Sequence, residues 1–272
     1  MSNSIDRYGD MFQQLDAKNE GAFVPFVMVG DPDIQTSVNI IKALVEGGAD
    51  ALELGFPYSD PIADGPTIQQ ASIRALSNKI KTDDCFEIIR QVRDTYADIP
   101  IGLLLYSNLV FKRGIEKFYN DAAKAGVDSI LIADVPLREA DRFIAIAEQT
   151  AIKQILIAPP NASDETFAEI GKKSQGYTYL LGRAGVTGAE IAVTIPASEL
   201  IDKLTKYKVA PPLLGFGIST PAQVADAIHS GAAGAISGSA TVNIIAENLS
   251  QPVVMLEKLK GFVKEMKAAT HK

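Results

Sequence analysis

The segment EGGADALELG, residues 46–55, contains a helix end, a glycine turn and a short apolar strand. The same order of elements recurs with different residues in KAGVDSILIAD, residues 124–134, and in HSGAAGAISGS, residues 229–239. A junction that recurs in this way indicates a repeated βα unit. The repeat therefore predicts an α/β protein assembled from similar units along the chain.

Eight short runs rich in Val, Ile, Leu or Ala are predicted strands. Their apolar residues are continuous rather than alternating, which is typical of a parallel sheet that is covered on both faces. The runs are AFVPFVMVG (22–30), ALELG (51–55), IPIGLLLY (99–106), SILIADV (129–135), KQILIAP (153–159), YTYLLG (177–182), PLLGFGI (212–218) and AAGAISGS (232–239).

Helical patterns lie between these runs. In residues 33–50, Val38, Ile41, Leu44 and Val45 share one apolar face, and two glycines end the pattern. Further helices are predicted to begin near Asp83, Arg113, Leu137, Ser163, Ala197, Pro221 and Val253.

The alternation of strand and helix predicts the fold class. It repeats about every 30 residues, and no polar linker divides the chain. We expect residues 1–272 to form one domain, a (β/α)8 TIM barrel with extra N- and C-terminal helical segments. The alternative is an open doubly wound sheet, whose G-x-G-x-x-G fingerprint should follow the first strand. Residues 29–33 read VGDPD instead.

Composition excludes several classes of function. The 272 residues carry a net charge of −7 and a sequence pI near 5.0, so we do not expect a nucleic-acid partner. Residues 1–12 have no apolar signal core, and no apolar stretch approaches the roughly 20 residues that span a bilayer. A cytoplasmic protein without a membrane association is expected. Two histidines and one cysteine, Cys85, leave almost nothing for a zinc site or a Ser-His-Asp triad.

Three carboxylates lie in the second predicted strand or in the loop behind it. Glu53 lies within the apolar run itself, and Asp60 and Asp64 lie in the loop SDPIADG behind it. A carboxylate in a buried strand is costly unless it is ion-paired, hydrogen-bonded or protonated, and a structural ion pair with Arg183 remains one explanation. Burial should also raise the pKa of Glu53, which suits a group that exchanges a proton near neutral pH.

Three glycine-rich loops follow consecutive strands. They are LGRAGVTGAE (181–190), GFGIST (215–220) and SGSAT (237–241). Such loops point free backbone N–H groups at an anion, and the loops after strands seven and eight hold the phosphate in many barrels. Together they predict a phosphate-binding site.

One segment carries most of the resemblance to a known family. LELGFPYSDPIADGPT, residues 52–67, resembles the signature of the tryptophan synthase alpha chain family over its whole length. The similarity keeps its order and spacing from about Arg7 to Thr270. Gly182 departs from the pattern, because the family often has serine there. The other similar segments are GAFVPFVMVGDP, IPIGLLLYSNLVF, ILIADVP, YTYLLGRAGVTG, PPLLGFGIS and GAAGAISGSA.

The resemblance implies a lyase of L-tryptophan biosynthesis that cleaves indole-3-glycerol phosphate into indole and glyceraldehyde 3-phosphate. It implies that Glu53 is the acid-base group and that Asp64 faces the indole N–H. The residues expected to hold the indole and glycerol parts are Phe26, Leu104, Tyr106, Leu131, Tyr179 and Thr187. Those expected to bind the phosphate are Gly188, Gly217, Gly238 and Ser239.

The resemblance also implies a partner. Members of the family dock onto a β chain in an αββα heterotetramer and pass indole to it. Pyridoxal phosphate then belongs to the β chain, and no cofactor or metal is expected in this one. By the same resemblance, Pro57, Asp60 and Pro61 belong to the segment that meets the β chain and couple the two subunits.

Two other interpretations stay open at this point. The first is another barrel enzyme that acts on a sugar phosphate, such as an isomerase or the synthase that makes indoleglycerol phosphate. The latter normally uses a catalytic lysine, and the predicted strands offer only Lys153 at the outer start of the fifth. The other is a non-catalytic barrel that activates a partner, which the presence of Glu53 and Asp64 disfavours.

Overall fold

The computed structural model of the chain describes residues 6–181 and 197–272. Its strands are β1 Ala22–Met28, β2 Leu52–Gly55, β3 Ile101–Leu105, β4 Ser129–Ile132, β5 Lys153–Ala158, β6 Thr178–Leu181, β7 Pro212–Gly215 and β8 Gly234–Ser237. Its helices are α1 Arg7–Ala17, α2 Ile34–Glu46, α3 Pro66–Ser77, α4 Thr82–Thr95, α5 Ser107–Arg113, α6 Ile115–Ala125, α7 Asp141–Thr150, α8 Asp164–Lys173, α9 Ala197–Lys206, α10 Pro221–His229, α11 Ser239–Glu247 and α12 Pro252–Ala268, and a 3-10 turn spans Leu137–Glu139.

The eight strands form one closed parallel barrel in chain order. β1 pairs with β2 on one side and with β8 on the other, so the sheet has no free edge. The predicted (β/α)8 fold, with additional helices α1 and α12 at the two ends of the chain, is confirmed. Because closure links the first strand to the last, we propose that residues 1–272 form a single domain.

The local pattern missed three helices. α5 and α11 begin directly after β3 and β8, and α3 begins after the loop behind β2, where the sequence analysis predicted loops or strand. Several strands also end earlier than predicted, since the apolar run continues after the chain has turned off the barrel. β4, for example, ends at Ile132 although the run extends to residue 135.

The barrel separates two apolar layers. Leu52 and Leu54 pack in the layer between sheet and helices, whereas Ala51 packs in the cluster inside the barrel. Since side chains alternate along a strand, Glu53 lies on the inner side with Ala51. In register, it lies beside Phe26 of β1. The interior of the barrel therefore holds apolar side chains together with the Glu53 carboxylate.

Helix α1 closes the N-terminal end of the barrel. Its residues Tyr8, Met11 and Leu15 belong to the inner cluster, and the Tyr8 hydroxyl lies 2.8 Å from Ser129 Oγ of β4. Below this contact, Asp128 joins α1 to the strands, because it pairs with Arg7 of α1 at 2.8 Å and with Arg93 of α4 at 2.7 Å. Asp128 also accepts the N–H of Ile101 at the start of β3. Asp128 therefore connects α1, α4 and β3 at the bottom of the barrel.

Asp128→Asn should lower the free energy of unfolding by about 2–4 kcal/mol, because it leaves two mostly buried guanidinium groups without a counter-charge. Urea unfolding followed by circular dichroism measures the change. Glu87→Gln is the control, since it breaks a solvent-exposed pair with Arg90 and should have no measurable effect. Equal stabilities of the two variants would contradict the role of Asp128.

Candidate active site

A cavity of about 350 Å³ lies at the C-terminal ends of the strands. This is the end at which barrels of this class place their active sites. The sequence-predicted residues that line it are Phe26, Glu53, Asp64, Leu104, Leu131, Tyr179, Gly217, Gly238 and Ser239. Residues from seven strands or the loops behind them therefore converge on one cavity.

Glu53 is the most deeply buried carboxylate of this cavity, with 2 % of its surface exposed. Its Oε1 accepts the hydroxyl of Tyr177 at 3.0 Å. Burial raises its pKa to about 7, and the Tyr177 hydrogen bond lowers it in part. No lysine or arginine of the described residues pairs with Glu53, and Arg183 lies outside them. Glu53 is thus held by a neutral hydroxyl and can be protonated or ionised near neutral pH.

Tyr177 is a link between the catalytic end and the bottom of the barrel. It is buried directly before β6, and its ring lies 5.5 Å from that of Tyr8 in α1. Burial, together with the negative charge of Glu53, raises the pKa of Tyr177 well above its usual value. Tyr177 therefore stays protonated and acts as a donor to Glu53.

Asp64 lies in the loop between β2 and α3 and is half-buried. Burial raises its pKa to about 6, and a hydrogen bond from the Tyr106 side chain lowers it in part. The Tyr106 oxygen also accepts the N–H of Ala63 at 3.0 Å, and Gln69 Nε2 donates to the backbone oxygen of Asp64 at 2.8 Å. The loop is thus tied to β3 by Tyr106 and to α3 by Gln69.

The walls of the cavity are apolar. Phe26, Leu104, Leu131 and Tyr179 lie on β1, β3, β4 and β6 and face one space. Tyr106 does not line this space; it lies behind the Asp64 loop. A flat apolar ligand fits such walls, with the carboxylates as the polar groups that orient it.

The opposite side of the cavity consists of backbone-rich turns. Phe216 and Gly217 after β7 have φ of +77° and +79°, and Gly217, Ile218 and Ser219 line the cavity. Gly238 is the N-cap of α11 and makes no side-chain cap hydrogen bond. The first turn of α11 therefore presents uncapped N–H groups to an anion. Thr187 and Gly188, the remaining predicted residues, lie outside the described residues.

The predicted coupling residues lie apart from the cavity, in the loop that carries Asp64. Pro57 is buried, Pro61 is half-buried and Asp60 is exposed. Ile62 lies between Pro61 and Asp64. It is 78 % exposed, the highest value for a large apolar side chain among the described residues. This loop thus has one face on the cavity and another in solvent.

Two further carboxylates at the strand ends have structural partners. Asp31 is bound by Arg74 of α3 through two contacts of 2.8 and 2.6 Å. Asp134 accepts both the N–H and the hydroxyl of Ser107 at the start of α5. Neither carboxylate lines the cavity.

The sequence analysis missed several lining residues. Ile157 lies two positions beyond Ile155 on β5, and Ala133 lies two positions beyond Leu131, so strand alternation could have identified both. The remaining missed lining residues are Ala63, Ile68, Leu181, Phe216, Ile218, Ser219, Ile236 and Ala240. Half of these lie in turns, where no periodic signal exists, and the other half lie on β6, β8, α3 and α11.

A larger hollow of about 610 Å³ lies at the other end of the barrel. It is lined by residues of α1 and by residues that precede strands, such as Asp50 and Pro100. The N-terminal end of a barrel contributes to stability rather than to catalysis.

Within residues 6–181 and 197–272, no three His, Cys, Asp or Glu side chains gather to hold a metal ion. None of the helices described is both long and apolar enough to cross a membrane.

Comparison with known proteins identifies the family. The family model described as tryptophan synthase alpha chain matches residues 12–271. The chain belongs to the tryptophan synthase alpha chain family. A tryptophan synthase alpha chain of Vibrio parahaemolyticus is 58% identical over 268 residues, which are 98% of this chain and 100% of the relative. One of Francisella tularensis is 57% identical over 265 residues, 97% of this chain and 98% of the relative.

Solved structures of the tryptophan synthase alpha chain family share the fold. The alpha subunit from Legionella pneumophila superposes with a TM-score of 0.88 at 29% identity, over 98% of this chain and 99% of that one. A chain from a structure of the tryptophan synthase a2b2 complex of Pyrococcus furiosus superposes with a TM-score of 0.80 at 35% identity, over 91% of this chain and 98% of that one.

Membership in the tryptophan synthase alpha chain family gives the reaction. The chain is a lyase that catalyses the cleavage of indole-3-glycerol phosphate in tryptophan biosynthesis. The alternative synthase with a catalytic lysine is not supported by the site either. Lys153 lies at the start of β5, and its Nζ is 3.4 Å from Asp6 near α1, at the far end of the barrel.

Glu53→Gln should stabilise the protein at high pH. An acid whose pKa is raised from 4.5 to about 7 on folding binds more protons in the native state, so it destabilises the native state increasingly between these two pH values and fully above pH 7. Glutamine removes this penalty, and we expect a gain of roughly 3 kcal/mol at pH 8 and none at pH 4. Urea unfolding at both pH values measures it. Glu87→Gln is the exposed control. An equal gain in stability of Glu53→Gln at both pH values would refute the raised pKa of Glu53.

Proposed function

We propose that Glu53 and Asp64 cleave indole-3-glycerol phosphate in the cavity at the C-terminal ends of the strands. The observation that carries this proposal is that two carboxylates with raised pKa values, Glu53 on a strand and Asp64 in a loop, line one apolar cavity. Carboxylates in different environments can divide acid-base and electrostatic roles between them. The reaction then needs no metal and no cofactor from this chain.

Glu53 exchanges the protons of the reaction. In a retro-aldol cleavage, C3 of the indole gains a proton, the side-chain hydroxyl loses one and becomes the aldehyde, and the electrons of the broken carbon–carbon bond return to the ring. A group with a pKa of about 7 has both protonation states populated at neutral pH. Its position on a strand supports this role, because the β2 backbone and Tyr177 fix the carboxylate.

Asp64 stabilises the positive charge that develops on the indole ring nitrogen. With a pKa of about 6, it is mostly ionised at neutral pH and accepts the hydrogen bond of the indole N–H. The hydroxyl of Tyr106 orients the carboxylate from behind. Asp64 therefore contributes mainly in the transition state, in which the ring is cationic.

The substrate lies between apolar and polar walls. Phe26, Leu104, Leu131 and Tyr179 bury the flat indole, and Tyr106 supports the Asp64 loop. We propose that Thr187 belongs to a loop that meets the substrate from the remaining side. The phosphate lies against the backbone amides of Gly188, Gly217, Gly238 and Ser239. Since no lysine or arginine lines the described part of the cavity, N–H groups and the α11 dipole are the main source of positive potential there.

The partner is a tryptophan synthase β chain in an α2β2 complex, and that chain holds the pyridoxal phosphate. Support comes from the similarity to a chain of the Pyrococcus furiosus a2b2 complex. Asp60 and the exposed Ile62 lie on the loop that carries Asp64, so contact with a partner through Pro57, Asp60 and Pro61 would act on the catalytic carboxylate. We further propose that the complex is cytoplasmic.

The purified chain should release indole from indole-3-glycerol phosphate, with or without a β chain. Glu53→Gln should lower kcat by about 10³-fold, because an amide keeps the shape of the carboxylate but transfers no proton. The dissociation constant of the substrate should stay within about threefold. Indole formation measured by absorbance and substrate binding measured by calorimetry test both statements.

The controls separate catalysis from folding. Glu87→Gln, on the exposed face of α4, should retain wild-type kcat. Indole release by Glu53→Gln at near wild-type rates would exclude Glu53 as the proton-transfer group, and no indole from the wild-type chain under any condition would refute the proposed site.

Gly217→Val should raise KM for indole-3-glycerol phosphate by roughly tenfold, because a β-branched side chain at φ +79° would strain the turn and project into the phosphate end. Steady-state kinetics measure the change. Gly114→Val is the matched control, since Gly114 also has a positive φ, +88°, with open space around it, but does not line the cavity. If both variants keep wild-type KM, the phosphate does not bind at this turn.

A further inference from the structure

Gln223 in the first turn of α10 is bound to the loop that follows β7. Its Oε1 lies 2.8 Å from the N–H of Ser219, 2.9 Å from the Ser219 hydroxyl and 3.1 Å from the N–H of Thr220. In return, the N–H of Gln223 donates to Thr220 Oγ1 at 3.3 Å. One amide oxygen thus accepts three donors from a loop that lines the cavity through Ser219.

The two helices at the phosphate end therefore differ. In α10, Pro221 has no N–H, and the N–H of Gln223 is occupied by the Thr220 hydroxyl in a reciprocal cap. α11 has no side-chain cap at Gly238, and Ser239 and Ala240 of its first turn line the cavity. The start of α10 thus offers an anion fewer free N–H groups, whereas the start of α11 has no side-chain cap.

The loop needs this support because its backbone is strained. Phe216 has a φ of +77°, which is costly for a residue with a side chain, and Gly217 follows with +79°. Two side chains fix the turn beyond this point. The Ser237 hydroxyl donates to the backbone oxygen of Ile218 at 2.7 Å, and Gln223 holds Ser219.

The chemical identity of the cap matters for an anion. Glutamate and glutamine serve equally well at this position of a capping box, and glutamate is the better residue next to a helix N-terminus. Helix stability alone would therefore not require glutamine. A carboxylate that contacts Ser219 would, however, place a negative charge beside a phosphate that is bound mainly by N–H and O–H groups.

We propose that Gln223 is a positioning residue for the phosphate, which holds the β7–α10 loop in its binding geometry with an acceptor that carries no charge. This inference rests on the proposed function, because it assigns the phosphate of the substrate to the turns at Gly217 and α11. It identifies Gln223 as a determinant of affinity for the phosphate-bearing half of the substrate, which residue spacing did not reveal.

Gln223→Glu tests the proposal, because it retains the three hydrogen bonds and adds only charge. We expect an unchanged or higher Tm, a roughly tenfold higher KM for indole-3-glycerol phosphate and a kcat within about twofold. In the reverse reaction, KM should rise for glyceraldehyde 3-phosphate but not for indole. The ratio of variant to wild-type KM should shrink as ionic strength rises, because salt screens the added charge.

Gln251→Glu is the matched control, because it adds the same charge before α12, beyond the far end of α11, and should leave both KM values unchanged. Gln223→Met removes the acceptor without adding charge. It should lower Tm and raise KM for glyceraldehyde 3-phosphate about threefold, with no dependence on ionic strength beyond that of the wild type.

Wild-type KM for glyceraldehyde 3-phosphate in both Gln223 variants, with normal turnover, would overturn the role of Gln223 and leave the proposed function intact. An equal rise of KM for indole and for glyceraldehyde 3-phosphate would also overturn it, because a general distortion of the site would then explain the effect. Failure of the wild-type chain to form indole would instead refute the proposed function.

Discussion

The pairing of β1 with β8 is the constraint on which the rest of the structure depends. It removes both sheet edges, so every strand is covered inside and outside and its C-terminal end faces the same space. Residues that are far apart in the chain then become neighbours. Tyr177 and Glu53 are 124 positions apart, yet their side chains share a hydrogen bond inside the barrel. The cavity at the C-terminal ends of the strands is a direct result of closure.

Closure also places two carboxylates in unlike environments at one site. Glu53 belongs to a strand, and its immediate surroundings are apolar apart from one hydroxyl, so burial disfavours its charge. Asp64 belongs to a loop that is tied to β3 through Tyr106 and carries the exposed Ile62. One carboxylate is therefore fixed by the barrel, whereas the other lies where a partner chain could influence it. The division of chemical roles follows from this difference in support.

The proposed phosphate end of the cavity follows a different principle, because its described part is lined by backbone groups rather than by charged side chains. Binding of a dianion by N–H groups requires that each group keeps its direction, and that nearby acceptors stay neutral. Three features of the loops after β7 and β8 fit these requirements. They are the strained turn at Phe216, the uncapped start of α11 and the self-capped start of α10. In this arrangement, Gln223 contributes to function while it contacts only the loop and not the substrate.

The sequence by itself determined the eight strands, their alternation with helices, the glycine-rich turns and the family, because these depend on local periodicity and on residues close together in the chain. It also pointed to Glu53 as a candidate, since a carboxylate inside an apolar run is visible without a structure. It did not predict α3, α5 and α11, whose patterns follow turns. Only the tertiary structure decided that Tyr177 holds Glu53, that Phe216 lines the cavity and that Gln223 holds the loop after β7. These contacts depend on strand register around a closed barrel and on turn geometry, and neither is encoded in the spacing of residues within one segment.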